Sequence, residues 1–120
     1  MKLSEVKELL NAEVYAGEDM LDVEVNEACG SDLMSDVLAI VKERALLLTG
    51  LQNLQVLRTA EMMDIEAVVF VRGKVPSQEI IDFAKAHGMI IMTTELAMYV
   101  SCGLLYSNGL QSRKAAVKLG

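Results

Sequence analysis

Three apolar runs punctuate the middle of the chain: Ala45–Leu48, Ala67–Val71 and Met89–Met92. None is broken by a polar residue, the pattern of a strand covered on both faces, as in a parallel sheet. Leu46, Val68 and Ile90, central in these runs, are spaced 22 residues apart. That interval holds the turn and crossover helix that a parallel pair requires. A helical pattern runs from Asn53 to Met63, burying Leu54 and Leu57, with Val56, Ala60 and Met63 beside them. A second helix opens at Pro76, whose missing N–H costs nothing in a first turn, and carries Ile80, Ile81, Phe83 and Ala84 as its stripe. Gly88 suits the left-handed position that ends it. His87, in the last turn beside carbonyl oxygens, reads as part of a helix end rather than as a catalytic base.

The flanks follow the same logic. Ser4 is placed to cap a first helix with Val6, Leu9 and Leu10 on one face. Glu13–Ala16 reads as a short strand stopped by Gly17, and 17–22 as a polar turn anchored by a buried Leu21. Val23-Glu24-Val25 alternates as a half-exposed edge strand does, extending at most to Ala28. Cys29–Asp32 is expected to turn, with Ser31 or Asp32 capping a helix whose apolar face is Leu33, Val37, Ile40 and Val41 and which closes at Lys42, Glu43 and Arg44. After Met92, Thr94 caps a helix from Glu95 to Ser107, stopped by Gly109. That helix is apolar nearly all round, so it is expected to be buried on more than one side.

The pattern predicts an α/β fold, a three-layer α/β/α sandwich with a mostly parallel central sheet. Residues 1–110 form a single domain, and 111–120 a loosely ordered tail or one packed on a neighbour. Right-handed crossovers bring the turns Thr49–Asn53, Arg72–Pro76 and Thr93–Glu95 to one edge of the sheet. Ligands of open α/β sheets bind beyond the carboxyl ends of the strands.

Composition narrows the partners. At 120 residues the chain is one domain, and its 52% hydrophobic content supports a two-sided core. A net charge of −6 argues against nucleic acid, whose phosphates call for a basic face. No apolar stretch approaches the ~20 residues of a membrane span. The charged amphipathic start, MKLSEVKELL, is not a secretory signal. The expected setting is therefore soluble and cytoplasmic. Cys29 and Cys102 stand far apart without a CxxC or a nearby histidine, so no metal site and no cofactor is expected, and both thiols read as small buried apolar groups.

Candidate chemistry is sparse. Neither GxxxxGK[ST] nor GxGxxG occurs. Gly50 and Gly73, each before a helix, could offer amides to an anion, and Arg72 a positive charge; equally, the glycines make tight turns and Arg72 is a solvated cation. Ser31, Asp32, Ser35, Asp36, Cys29 and Cys102 are the available nucleophiles and acids, but with one histidine at a helix end no histidine-based triad assembles. Asp32 and Asp36, four apart near a helix start, are accounted for by a cap and a dipole-favoured carboxylate.

The sequence resembles the DRTGG-domain family, in particular its short stand-alone members, over about residues 2–110. The stretches that carry the likeness are VKELLNAEVYAGEDMLDVEV, GSDLMSDVLA, LLLTGLQN, AVVFVRGKVPSQEIIDFAKAHGM and TTELAMYVSCGLLYSNGL. The resemblance implies the fold of the N-terminal domain of HPr kinase/phosphorylase, shared with some phosphotransacetylases and with a domain inserted between CBS domains in regulated pyrophosphatases. It does not carry the kinase activity, because the kinase domain holds the P-loop and no P-loop occurs in this sequence. Where longer members have Gly-Asp-Arg, this chain has Gly50-Leu51-Gln52, and Val71-Arg72-Gly73 stands for their Thr-Gly-Gly. Gln52 and Asn53 resemble a variant found in the short members.

The expected function is a non-enzymatic regulatory or scaffolding domain, a homodimer, with a small anionic or nucleotide ligand at Asp32, Thr49, Gly50, Gln52, Asn53, Arg72, Gly73, Thr93 and Thr94. Two alternatives stand beside it. One is an enzyme acting on a phosphorylated metabolite. The other, implied by the company short family members keep, is a cofactor-free accessory subunit of a redox, hydrogenase-type complex.

Overall fold

The computed structural model describes residues 1–40 and 44–111. Helix α1 (Leu3–Leu10) is followed by strands β1 (Glu13–Ala16) and β2 (Glu27–Gly30), and from there helices α2 (Met34–Ile40), α3 (Leu54–Met62), α4 (Gln78–Ala86) and α5 (Met98–Ser107) alternate with strands β3 (Ala45–Thr49), β4 (Ala67–Phe70) and β5 (Ile90–Thr93). The strands form one sheet in the order β1-β5-β4-β3-β2. Strands β2 to β5 are parallel, and β1 closes the β5 edge antiparallel. The three apolar runs are the three central strands, and β3, β4 and β5 are buried along their whole length.

Alternate side chains of each strand feed two cores, as strand periodicity demands. Leu47, Val68, Phe70 and Ile91 pack with Val37 of α2, Val56, Leu57 and Ala60 of α3, and Ile80 and Ala84 of α4. On the other face Leu46, Leu48, Val69, Ile90 and Met92 pack with Leu3, Val6 and Leu10 of α1 and Leu105 of α5. The result is the three-layer sandwich, with α2, α3 and α4 on one side and α1 and α5 on the other. Because β2, β3, β4 and β5 follow one another in space as in sequence, each crossover helix falls on the same face. The register pairs Gly30 with Leu48, Thr49 with Phe70, and Phe70 with Thr93. All four carboxyl ends therefore meet at one edge.

Several expectations are corrected. The edge strand is Glu27–Gly30, not Val23–Val25, so Cys29 lies buried in a strand rather than in a turn. The 23–25 stretch instead ties down the N-terminus: the Leu3 amide donates to Val23 O and the Val25 amide to Met1 O. Its alternation reflects Val25 packing beneath α1, not membership of the ladder. Leu21 is half-buried rather than a buried anchor, as are Leu54 and Met63 on the α3 side. Ser4 lies inside α1; the carbonyls of Val23 and Leu21 satisfy the first helical amides in place of a side-chain cap. Helix α4 begins two residues after Pro76, with Ser77 as its cap, accepting from the Ile80 amide. Helix α5 begins at Met98, not Glu95, with Ala97 at its cap position. It is not enclosed either: Tyr99 is 89% exposed, Val100 45% and Tyr106 43%. Val41, Lys42, Glu43 and the tail from 112 lie outside the described residues.

His87 does stand at the C-terminal cap of α4. Its ring stacks on Phe83 with centroids 4.0 Å apart, and its Nδ1 pairs with Glu61. Because α4 runs back from the carboxyl edge, His87 belongs to the opposite edge of the sheet.

Candidate functional site

The loops that leave the carboxyl edge are short, so their side chains must either hold one another or face solvent. Asp32, just past β2, reaches across to the loop after β3. Its Oδ1 accepts from the Thr49 hydroxyl at 3.0 Å and from the Gly50 amide at 2.6 Å. The Thr49 hydroxyl in turn accepts from the Leu51 amide at 3.2 Å. The Gly50 amide, the Thr49 hydroxyl, and the charges of Arg72 and Lys74 together hold the Asp32 carboxyl below its usual range. It is therefore a carboxylate at neutral pH, well removed from a poised general acid.

The loop after β4 is bent by two successive left-handed residues, Arg72 at φ +67° and Gly73 at φ +70°. Backbone bonds pin the bend: the Arg72 amide donates to Leu96 O and the Gly73 amide to Thr94 O. Gln52 braces it from the other side, its Nε2 donating to Lys74 O at 2.9 Å. The bend throws the Arg72 guanidinium against Gly50, where a Cβ would stand 3.0 Å from Cζ. Holding a non-glycine residue in this conformation costs about 1–3 kcal/mol, a burden that such sites tolerate when the surroundings fix it.

Between these loops lies an open cleft of about 400 Å³, lined by Gly30, Ser31, Asp32, Val71, Arg72 and the start of α5 at Ala97, Met98 and Tyr99. Gly30 lets α5 approach, because a Cβ there would stand 2.5 Å from Cys102 Sγ and 3.2 Å from Met98 Sδ. Asp32 and Arg72 line the same cleft, yet neither forms an ion pair among the described residues.

The residues singled out from sequence divide. Asp32, Thr49, Gly50 and Arg72 come together, with Gln52 and Gly73 bracing the Arg72 loop. Asn53, Thr93 and Thr94 do not join them. The Asn53 side chain caps α3, accepting from the Val56 amide at 3.1 Å. Thr93 is buried in the sheet, paired with Glu13 and Phe70. Thr94 turns toward α1: its hydroxyl donates to Leu10 O at 2.7 Å and accepts from the Leu96 amide. Sequence reasoning missed Met98 and Tyr99 as cleft residues, because the helix to which they belong was expected to start earlier and to be enclosed.

Among the described residues, the other candidate acids and nucleophiles are engaged locally, exposed elsewhere or held protonated. Ser31 Oγ is occupied locally, donating to Leu33 O and accepting from the Leu33 amide. Asp36 is exposed on α2. Burial pushes the thiols of Cys29 and Cys102 up, and the proximity of Cys102 adds to the effect on Cys29, so both favour the protonated thiol at neutral pH. Among the described residues no cluster of His, Cys, Asp or Glu could hold a metal ion. No described helix is long and apolar enough to cross a membrane.

No protein-family model matches the chain, and no curated protein does. A solved structure does match in fold: the CBS and DRTGG domains of the regulatory region of Clostridium perfringens pyrophosphatase, complexed with the activator diadenosine tetraphosphate. The match has a TM-score of 0.74 at 17% identity, covering 87% of this chain and 45% of that one. This chain thus spans less than half the length of the structure it resembles, and at that identity the likeness is one of fold.

Proposed function

We propose that this chain is a non-enzymatic regulatory or scaffolding domain that works as a homodimer and holds a small anionic ligand in the cleft between Asp32 and Arg72. The observation that carries this reading is the pair of opposite charges lining one cleft without an ion pair to each other. Both side chains are exposed at the cleft, so water satisfies them in the free chain. A ligand that enters their shared space can displace that water and meet both charges. The similar fold of a regulatory region bound to a nucleotide activator supports it. A regulatory role is favoured over catalysis by the state of the candidate groups. Asp32 is held ionised, the thiols are held protonated, and His87 is engaged at the other edge.

A thermal-shift screen of the full chain against nucleotides and acyl phosphates tests the ligand. A ligand at a hundred times its Kd is expected to stabilise the fold by about 2.7 kcal/mol. Exchanging Arg72 and Gln52 for alanine is expected to remove that shift while lowering the unliganded stability by only about 0.5–1.5 kcal/mol, the loss of the Gln52 hydrogen bond to Lys74 O. A shift that survives the double substitution would place the ligand elsewhere.

The dimer reading rests on α5. None of the ten residues from Met98 to Ser107 is charged, and Val100 and Tyr106 stand exposed outside the cleft. A chargeless apolar face suits self-association in a chain of net charge −6, whose other surfaces repel their own copies. Sedimentation equilibrium is expected to show a dimer that Val100→Glu converts to monomer. A wild-type chain that stays monomeric through the micromolar range removes the dimer.

A further inference from the structure

We infer that the cleft takes a nucleoside phosphate, with its ribose hydroxyls on Asp32, its phosphate on Arg72 and its base against the ring of Tyr99. This rests on the ligand-binding reading above and narrows it. An anion alone is a poor fit for this cleft. Asp32 is ionised and lies within electrostatic reach of Arg72, so any phosphate drawn to the guanidinium also meets a carboxylate. A ligand that gains from both must present hydrogen-bond donors to one and negative charge to the other.

The geometry of Asp32 specifies the donors further. Its Oδ1 is taken by Thr49 and Gly50, leaving Oδ2 with no protein partner among the described residues. A fixed carboxylate with a free oxygen is the acceptor that a ribose diol requires, the role an acidic residue plays at the sugar of dinucleotide sites. A zwitterionic amino acid would also satisfy the two charges, with its ammonium on Asp32 and its carboxylate on Arg72. The third wall distinguishes the two. Tyr99, at 89% exposure, presents a bare aromatic ring at the cleft mouth. An amino acid leaves that ring uncovered, whereas a base stacks on it. About 400 Å³ lies within the range of small-molecule sites.

Isothermal titration of the full chain with adenosine and guanosine 5′-monophosphates, their 2′,3′-dideoxy analogues, inorganic phosphate and glutamate tests the assignment. The ribonucleotides are expected to bind about tenfold or more tightly than the dideoxy analogues and than phosphate. Asp32→Asn keeps an acceptor for Thr49 and Gly50 but turns the free oxygen into an amide donor. It is expected to weaken the ribonucleotide about tenfold while tightening phosphate, since the like charge is gone. Tyr99→Ala is expected to weaken the ribonucleotide about tenfold and leave phosphate unchanged.

Equal affinity for ribose and dideoxyribose on the wild-type chain overturns the assignment, whether or not the variants fold. So does phosphate or glutamate binding as tightly as a nucleotide. Phosphate or an acyl phosphate that binds through Arg72, with nucleotides no better, sinks this inference but leaves the anionic site standing. If none of the ligands binds, both readings fall.

Discussion

Exchanging Phe70 for alanine is expected to cost about 3–5 kcal/mol, the upper range for a buried aromatic. Phe70 is fully buried at the carboxyl end of β4 and is the largest of the fully enclosed side chains. It lies in the core that joins the sheet to α2, α3 and α4, facing Val56, Leu57 and Ile80 across the interface. Its neighbours in the ladder, Thr49 and Thr93, are fixed by strands on both sides. The cavity therefore cannot collapse easily, and the cost includes lost contacts as well as lost burial. A domain of this size has about 5–15 kcal/mol of stability, so the variant would sit near the edge of folding. In urea the midpoint is expected to fall by more than about 1 M at unchanged slope, given slopes of about 1–3 kcal/mol per molar. A midpoint within about 0.3 M of wild type would mean that position 70 does not occupy the core.

The same interior explains which parts of the fold could be read from sequence. Ala45–Leu48, Ala67–Val71 and Met89–Met92 are legible because both faces of a central parallel strand are buried, so no polar residue interrupts them. Strand β2 was not legible. Glu-Ala-Cys-Gly at 27–30 has neither an apolar run nor alternation, and its strand state comes from pairing with Ala45–Leu48. Val23 and Val25 mimic a strand by alternation, yet Val25 is buried by the N-terminal helix rather than by a ladder. Helix α5 failed in another way. Its apolar residues lie on every side, so no stripe told which face the sheet would take. Ser101 and Leu105 are buried while Tyr99 is open.

At the carboxyl edge the glycines and Arg72 were legible as turn residues following strands. Asn53 and Thr94 were not separable from them by type, because hydroxyl and amide side chains can serve a backbone group as readily as a ligand. Here the backbone took both: the Val56 amide holds Asn53, and Leu10 O holds Thr94. The partnership of Asp32 with Thr49 and Gly50 joins residues 17 and 18 positions apart. It depends on β2 lying beside β3, which no local pattern discloses.

The second large effect is expected at Gly17, where β1 ends. Its φ is +81°, and an ideal Cβ would stand 2.7 Å from Ile90 Cα and 2.8 Å from Met89 O. Both are backbone atoms at the start of β5, so the crowding cannot be relieved by a rotamer change. Gly17→Ala therefore carries two costs: about 1–2 kcal/mol for a left-handed alanine and about 1–3 kcal/mol for overpacking. Gly88→Ala separates them. Gly88 has a similar φ of +67° but nothing within 4 Å of its Cβ position, so only the conformational cost applies.

Equilibrium unfolding of the two variants should thus differ by about 1–3 kcal/mol, with Gly17→Ala the weaker. The alternative is that β1 yields. It is a four-residue edge strand whose register with β5 already shifts between Val14 and Ala16, so it could slide away at modest cost. Equal stabilities of the two variants, with amide exchange accelerated in β5, would show that it does. The backbone groups of β5 that face β1 would then become an open sheet edge, and aggregation would rise with it. A stability gap with β5 amides still protected means that the close approach of Gly17 to Ile90 is a fixed part of the fold.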